Sequence, residues 1–245
     1  MNRILCLSLV AASLVGHARE NDAIDGGRLT YWPKDHGTFL FVNAQQAIPA
    51  EKFAGPVRIL FNNFGFDIRL VDGIAPEAKG VRKELKRLGA KGAIWIVNDR
   101  DMPLTLDACD NGWGFINVEP LLRDDPDEEK LASRIEKIVN RTFAYIHGVG
   151  ETTLTPHCVM KSAIGVPGLD KLHCAQFSPE PIRRISPYMK GLGYLRCKRS
   201  TYLSACEEGW APQPTNDVQK AIWDKVHAVP TEPLKIKPET KKVAE

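Results

Sequence analysis

The chain has 245 residues, 43% hydrophobic and 26% charged, with 17 prolines and 19 glycines, a composition that excludes disordered, collagen-like and membrane-embedded classes. Lys and Arg number 33 against 30 Asp and Glu, a net charge of +3, too balanced to predict a nucleic-acid or membrane-surface partner. One medium domain followed by a tail is expected.

The chain opens with Met1-Asn2-Arg3, an apolar run from Ile4 to Val15, and small residues in Gly16-His17-Ala18. This is the pattern of a removable secretory signal cleaved after Ala18. The run is shorter than the roughly 20 residues a bilayer requires, so residues 1–18 predict export to the periplasm or beyond and no stable membrane anchor after cleavage. Export gives the cysteines an oxidising compartment. With Cys6 removed, Cys109, Cys158, Cys174, Cys197 and Cys206 remain, an odd set in which at least one is left over. Cys158 with Cys174, and Cys197 with Cys206, are disulfide candidates whose connectivity the sequence leaves open. Cys109, in a turn-rich segment, is the expected free thiol.

A continuous α/β pattern follows. Thr38 to Val42 is a buried-strand run. Pro49 to Phe64 places Phe53, Val57, Leu60, Phe61 and Phe64 at helical spacing, with Pro56 expected to weaken or kink the helix. Asp67 to Val71 reads as a strand, Pro76 to Leu88 as a charged surface helix and Ala93 to Val97 as a second buried strand. Asn98 to Gly114 is rich in turn residues, and Phe115 to Val118 predicts a short edge strand. The clearest helix opens at Asp124 to Glu129, acids against its positive end. It carries Leu131, Ile135, Ile138, Val139, Thr142, Phe143 and Ile146 as one stripe and stops at His147-Gly148. Beyond Glu151 come loops, a short helix at Pro179 to Ile185, an amphipathic piece at Val218 to Val226 and a Pro/Lys/Glu tail from Pro230. The expected division is a signal at 1–18, an α/β part at 37–147, a loop-rich part at 148–209 and a partly disordered tail at 210–245.

Around the helix end, Phe143-Ala-Tyr-Ile-His147-Gly-Val-Gly150-Glu-Thr-Thr153 matches the second His and the Gly of the metzincin pattern H-E-x-x-H-x-x-G-x-x-H. Cys158-Val-Met160 then follows in the place of a Met-turn. With the order strand, Gly112 to Val118, and long helix, this segment resembles archaemetzincin over about Thr38 to Ile185. The resemblance implies a metzincin-like mixed sheet with a long active-site helix and an irregular Cys-containing part after it, an α/β (α+β) fold. It also implies Met160 as the Met-turn residue, and a second, structural zinc whose cysteines can be matched here only by Cys158 and Cys174.

The departures bear on activity. Zinc peptidase chemistry needs two imidazoles four apart on one helix face, a third from the next turn, and a glutamate to take a proton from zinc-bound water. Here Phe143 stands at the first ligand position, Ala144 at the glutamate and Thr153 at the third ligand, leaving His147 alone. Phe177 stands where a Cys-x-x-Cys partner of Cys174 would be. The expectation is a catalytically inactive metalloprotease homologue with no cofactor, serving as a structural module or binding a peptide or protein partner. The rival is a zinc peptidase with a rebuilt ligand set, in which His147, His157 and His173 converge and Glu151 serves as base. Asn140-Arg-Thr142 fits a glycosylation acceptor but lies in the helix stripe and reads as a chance match. Asp99, Asp101, Asp107 and Asp110 read as a solvated turn rather than a cation site.

Overall fold

The computed structural model describes residues 26–108, 112–152, 155 and 157–228. The expected signal, Cys109, Asp110, Thr153 and the tail from Pro230 lie outside the described residues. The described chain divides into two compact units, Tyr31–Lys198 and the combination of 26–30 with 199–228.

In chain order the strands are β1 (Arg28–Tyr31), β2 (Thr38–Ala44), β3 (Asp67–Gly73), β4 (Gly92–Val97), β5 (Thr105–Ala108), β6 (Trp113–Asn117) and β7 (Lys198–Thr201). The helices are α1 (Ala54–Phe64), α2 (Val81–Leu88), α3 (Glu119–Leu122), α4 (Glu128–Ile146), α5 (Gly165–Asp170), α6 (Pro179–Gly191), α7 (Tyr202–Glu207) and α8 (Asp217–His227), with short 3-10 turns before α1 and α2.

The larger unit is built on a five-stranded mixed sheet in the order β3-β2-β4-β6-β5. The four strands from β3 to β6 run parallel and β5 pairs antiparallel to β6, with Thr105 opposite Ile116 and Asp107 opposite Gly114. The mixed α/β class expected from the sequence is the one observed. Because successive strand residues point to opposite faces, β2 divides its side chains between two cores. Phe39 and Phe41 join Ile94, Ile96 and Ile116 on one face, with Phe64 of α1 and Ile138 and Phe143 of α4. Leu40, Val42, Trp95 and Phe115 form the other, with Val81 and Leu85 of α2. A sheet covered on both faces needs apolar residues at every strand position, which is why β4 is buried from end to end.

Several boundaries differ from the sequence reading. The segment from Asn98 to Gly114 contains β5, and β6 therefore lies inside the sheet rather than at its edge. The short run Thr-Leu-Asp-Ala carries too little alternation to stand out among turn residues. Pro56 falls in the first turn of α1, where a missing N–H costs no helical hydrogen bond, so no break occurs. The helix expected at Pro179 to Ile185 continues to Gly191 past Pro187.

The smaller unit holds the two-stranded sheet of β1 and β7, then α7 and α8. Thr201 caps α7 and Asn216 caps α8 through side-chain oxygens that accept from Ser204 N and Gln219 N. No helix among the described residues is long and apolar enough to cross a membrane.

Candidate functional site at the end of the long helix

The long helix α4 starts at Asp127, whose carboxylate accepts from Lys130 N, with Glu128 and Glu129 in the first turn. It ends at His147, after which Gly148 adopts φ 73°, the left-handed turn glycine permits without steric cost. Its apolar stripe is buried as expected. Arg134, Lys137, Asn140 and Arg141 are buried as well, which periodicity does not foresee because charged side chains are read as the wet face.

The two guanidiniums and the Asn140 amide nitrogen have partners, whereas Asn140 Oδ1 is buried with none. Arg134 donates to both oxygens of Asp170 and of Asp124 and to Leu121 O, and these carboxylates raise its pKa further. Arg141 donates to Val159 O at 2.7 Å, Lys161 O at 2.6 Å, Tyr145 Oη at 2.8 Å and Glu151 Oε1 at 2.7 Å. It thereby clamps the loop that carries Met160 onto the helix. Asn140 Nδ2 donates to Ala175 O at 2.9 Å and the residue is fully buried, so it is a core amide and no glycan acceptor.

The helix end is different in kind. His147 is 1% exposed, and its Nδ1–H donates to Phe143 O at 2.6 Å. The neutral ring thus keeps its proton on Nδ1 and presents Nε2 as a bare lone pair, which is buried with no hydrogen-bond partner. Around it stand aromatic rings: Phe143 at 4.4 Å between centroids, Phe39 at 5.7 Å, Tyr188 at 5.9 Å and Tyr194 at 6.4 Å. Burial drives the His147 pKa down to about 4, against the pull of the Phe143 carbonyl. The hydroxyl of Tyr194 is likewise buried without a partner, and burial raises its pKa. Phe143 itself is 0% exposed, locked by Phe39 at 5.1 Å and Phe64 at 5.5 Å.

The other expected site residues lie elsewhere. Met160 is fully buried in the core beside the helix end. The Glu151 carboxylate would be raised by burial alone, but hydrogen bonds from Ser162 and Arg141 hold it below the usual carboxylate range, and it is committed to Arg141 rather than free to act as a base. His157 and His173 are exposed, with ring centroids 5.8 Å apart. Among the described residues no three His, Cys, Asp or Glu side chains converge where they could hold a metal ion. The tautomer of His147 suits a metal ligand, but the rings around it are two phenyls, Phe143 and Phe39, and two phenols, Tyr188 and Tyr194, a set that supplies no second imidazole, thiolate or carboxylate and does not fit a tetrahedral zinc site.

The proposed bridges are not formed: Cys158, Cys174, Cys197 and Cys206 are free thiols. The buried Cys158 Sγ accepts from Ser178 N and Ser178 Oγ, each at 3.3 Å, and from Met160 N at 3.4 Å, an inward-facing arrangement. Cys174 Sγ–H points instead to Gln176 O at 3.9 Å. Phe177, at the position where a Cys-x-x-Cys partner of Cys174 would stand, is buried and packs on Phe64 at 5.8 Å.

One residue that sequence reading missed shapes the sheet edge. Asn117, fully buried at the end of β6, donates from Nδ2 to Asp99 O at 2.6 Å and Met102 O at 2.7 Å. Its Oδ1 accepts from Asp99 N at 3.0 Å and Glu119 N at 3.2 Å. The backbone N–H of Asn117 adds a bond to Leu104 O at 2.8 Å, so the loop that delivers β5 is pinned from one side chain and one amide. The Phe-Ile-Asn sequence held the only signal, a polar residue ending an apolar strand.

No family model and no curated protein matches the sequence. In fold the chain is similar to the archaemetzincin of Methanopyrus kandleri, at 15% identity over 64% of this chain and 98% of that one, with a TM-score of 0.49. It is similar also to a zinc-dependent peptidase from Methanocorpusculum labreanum, at 13% identity over 61% of this chain and 100% of that one, TM-score 0.46. A third is the archaemetzincin of Archaeoglobus fulgidus complexed with malonate, at 13% identity over 60% and 98%, TM-score 0.44.

Proposed function

We propose that this chain is an exported, proteolytically inactive protein of metzincin-like architecture that works as a binding or structural module for an extended peptide. The observation that carries the reading is Phe143. One turn before His147, where a second imidazole would be needed, stands a fully buried phenyl ring packed between Phe39, Phe64 and the imidazole itself. Ala144, also fully buried, offers no carboxylate to activate water. What remains is a rigid scaffold beside a sheet edge. The outer strand β5 pairs only with β6 in the sheet, and Leu106 on it is 42% exposed. An extended peptide can add to such an edge through main-chain hydrogen bonds, with no metal required.

The test is made on the untagged full chain. Elemental mass spectrometry is expected to find no zinc that depends on His147, and unstructured peptides are expected to remain uncut with or without added zinc. Amide hydrogen exchange in the presence of a binding peptide should show new protection at residues 105–108. About one zinc per chain that disappears in His147→Ala, accompanied by chelator-sensitive peptide cleavage, overturns the reading.

A further inference from the structure

The two exposed histidines after the helix end form an arrangement of their own. His157 precedes Cys158 in the loop carrying Met160, and His173 lies in the turn between α5 and α6. The two segments are tied together beneath the rings. Val159 N donates to Gln176 O at 2.8 Å, Ser178 N and Oγ both donate to Cys158 Sγ at 3.3 Å, and Asn140 of α4 donates to Ala175 O. Cys158, Leu172 and Ala175 bury their side chains beside the histidines, so each imidazole is held at the surface by a neighbour fixed in the interior. The rings stand 5.8 Å apart between centroids, tilted by 54°.

That separation has a chemical meaning. A zinc–nitrogen bond is about 2.0–2.1 Å, and adding about 1.1 Å from nitrogen to ring centre places each centroid about 3.2 Å from a bound ion. Two imidazoles on one ion then have centroids about 5 to 6 Å apart, the observed range. We propose that His157 and His173 form a two-imidazole surface site for a divalent late first-row transition ion, with water completing the coordination. Imidazole suits zinc, nickel and copper, and the divalent series places Cu2+ at the top in affinity. Neither thiol joins the pair, since Cys158 faces inward to Ser178 and Cys174 faces Gln176 O. The site is separate from His147, whose ring is sealed among aromatic residues, and it does not depend on whether the scaffold binds peptide.

The untagged full chain titrated with Cu2+ and followed by electron paramagnetic resonance should bind about one ion per chain with hyperfine splitting from two equivalent nitrogens. Calorimetric titration with Zn2+ should saturate at the same stoichiometry. Loss of even an outer partner of a ligand costs about 10- to 100-fold in affinity, so His157→Ala and His173→Ala should each weaken binding at least about tenfold. The double variant should abolish it, while circular dichroism stays unchanged because both side chains are exposed. His147→Phe should bind as the wild type does. Stoichiometric binding that survives the double variant, binding lost in His147→Phe, or no stoichiometric ion in the wild type each overturns the site.

Discussion

Two stretches of α4, six residues apart, treat a buried polar side chain in opposite ways. At Arg141 the charge is enclosed, and the guanidinium is met by two backbone carbonyls, a hydroxyl and a carboxylate. At His147 the ring is enclosed, and one nitrogen meets a carbonyl while the other meets nothing. Burial of a charge is tolerated when every donor is satisfied, and a half-satisfied group is held only because its surroundings supply compensating apolar contact. The helix thus uses hydrogen bonds to hold the loop of Met160 and hydrocarbon packing to hold its own end.

The comparison can be broken by substitution, and the largest effect is expected at the packed end. Phe143→Ala should lower the unfolding free energy by about 4 kcal/mol, the usual loss for a fully buried phenyl ring. Urea denaturation measures it, and a loss below about 1 kcal/mol would show that the aromatic box is not what holds His147. Arg141→Met should cost about 3 kcal/mol by leaving the Val159 and Lys161 carbonyls unpaired. Hydrogen exchange should show that cost localised to the Met160 loop, whereas a uniform change would mean the clamp is not local.

A pH experiment sharpens the contrast next. His147 has a folded pKa of about 4 against an ordinary 6.5, so below pH 6.5 the unfolded chain binds a proton that the folded chain refuses. Its contribution to stability is present above pH 6.5, is lost as pH falls from there towards 4, and declines no further below that. At pH 5 the wild type should have lost about 2 kcal/mol relative to pH 7 through this residue. Chemical denaturation of His147→Phe over the same interval should lack that component; matching slopes in the two proteins would disprove the assignment. The smallest effect sets a floor. The exposed Glu180–Arg184 pair on α6 should yield only about 0.3 kcal/mol in a double-mutant cycle.

Much of the architecture was legible because one physical signal dominated. The strands at Thr38 and Ala93 are short apolar runs, the strand at Asp67 alternates, and α4 has an apolar stripe with acids at its start and a glycine past its end. What escaped were features set by tertiary context. Strand β5 is four residues of mixed character that become a strand by pairing with β6. Arg134 and Arg141 look solvent-facing by period, yet their partners Asp170 and Glu151 come from segments folded back onto the helix. At the site, the departures of Phe143 and Ala144 from the metzincin pattern were readable position by position. That Phe143 fills its space was inferable from its size. The pairing of His157 with His173 was not, because fifteen residues of loop and helix lie between them and only the fold closes that distance. The expected Cys158–Cys174 bridge illustrates the converse, a spacing that permitted a bond which the inward turn of Cys158 does not form.

The amide of Asn117 has one further consequence. By gripping the backbone at Asp99 and Met102 and, through its own N–H, at Leu104, it fixes the phase in which β5 meets β6. Strand side chains alternate, so a slip of one residue would exchange the face that Leu106 occupies for that of its neighbours. If a peptide adds to β5 as proposed, it would meet a template with a single frame, and selectivity should fall on every second residue of that peptide. On that proposal, Asn117→Ala should loosen the frame and reduce the discrimination between odd and even positions of a bound peptide.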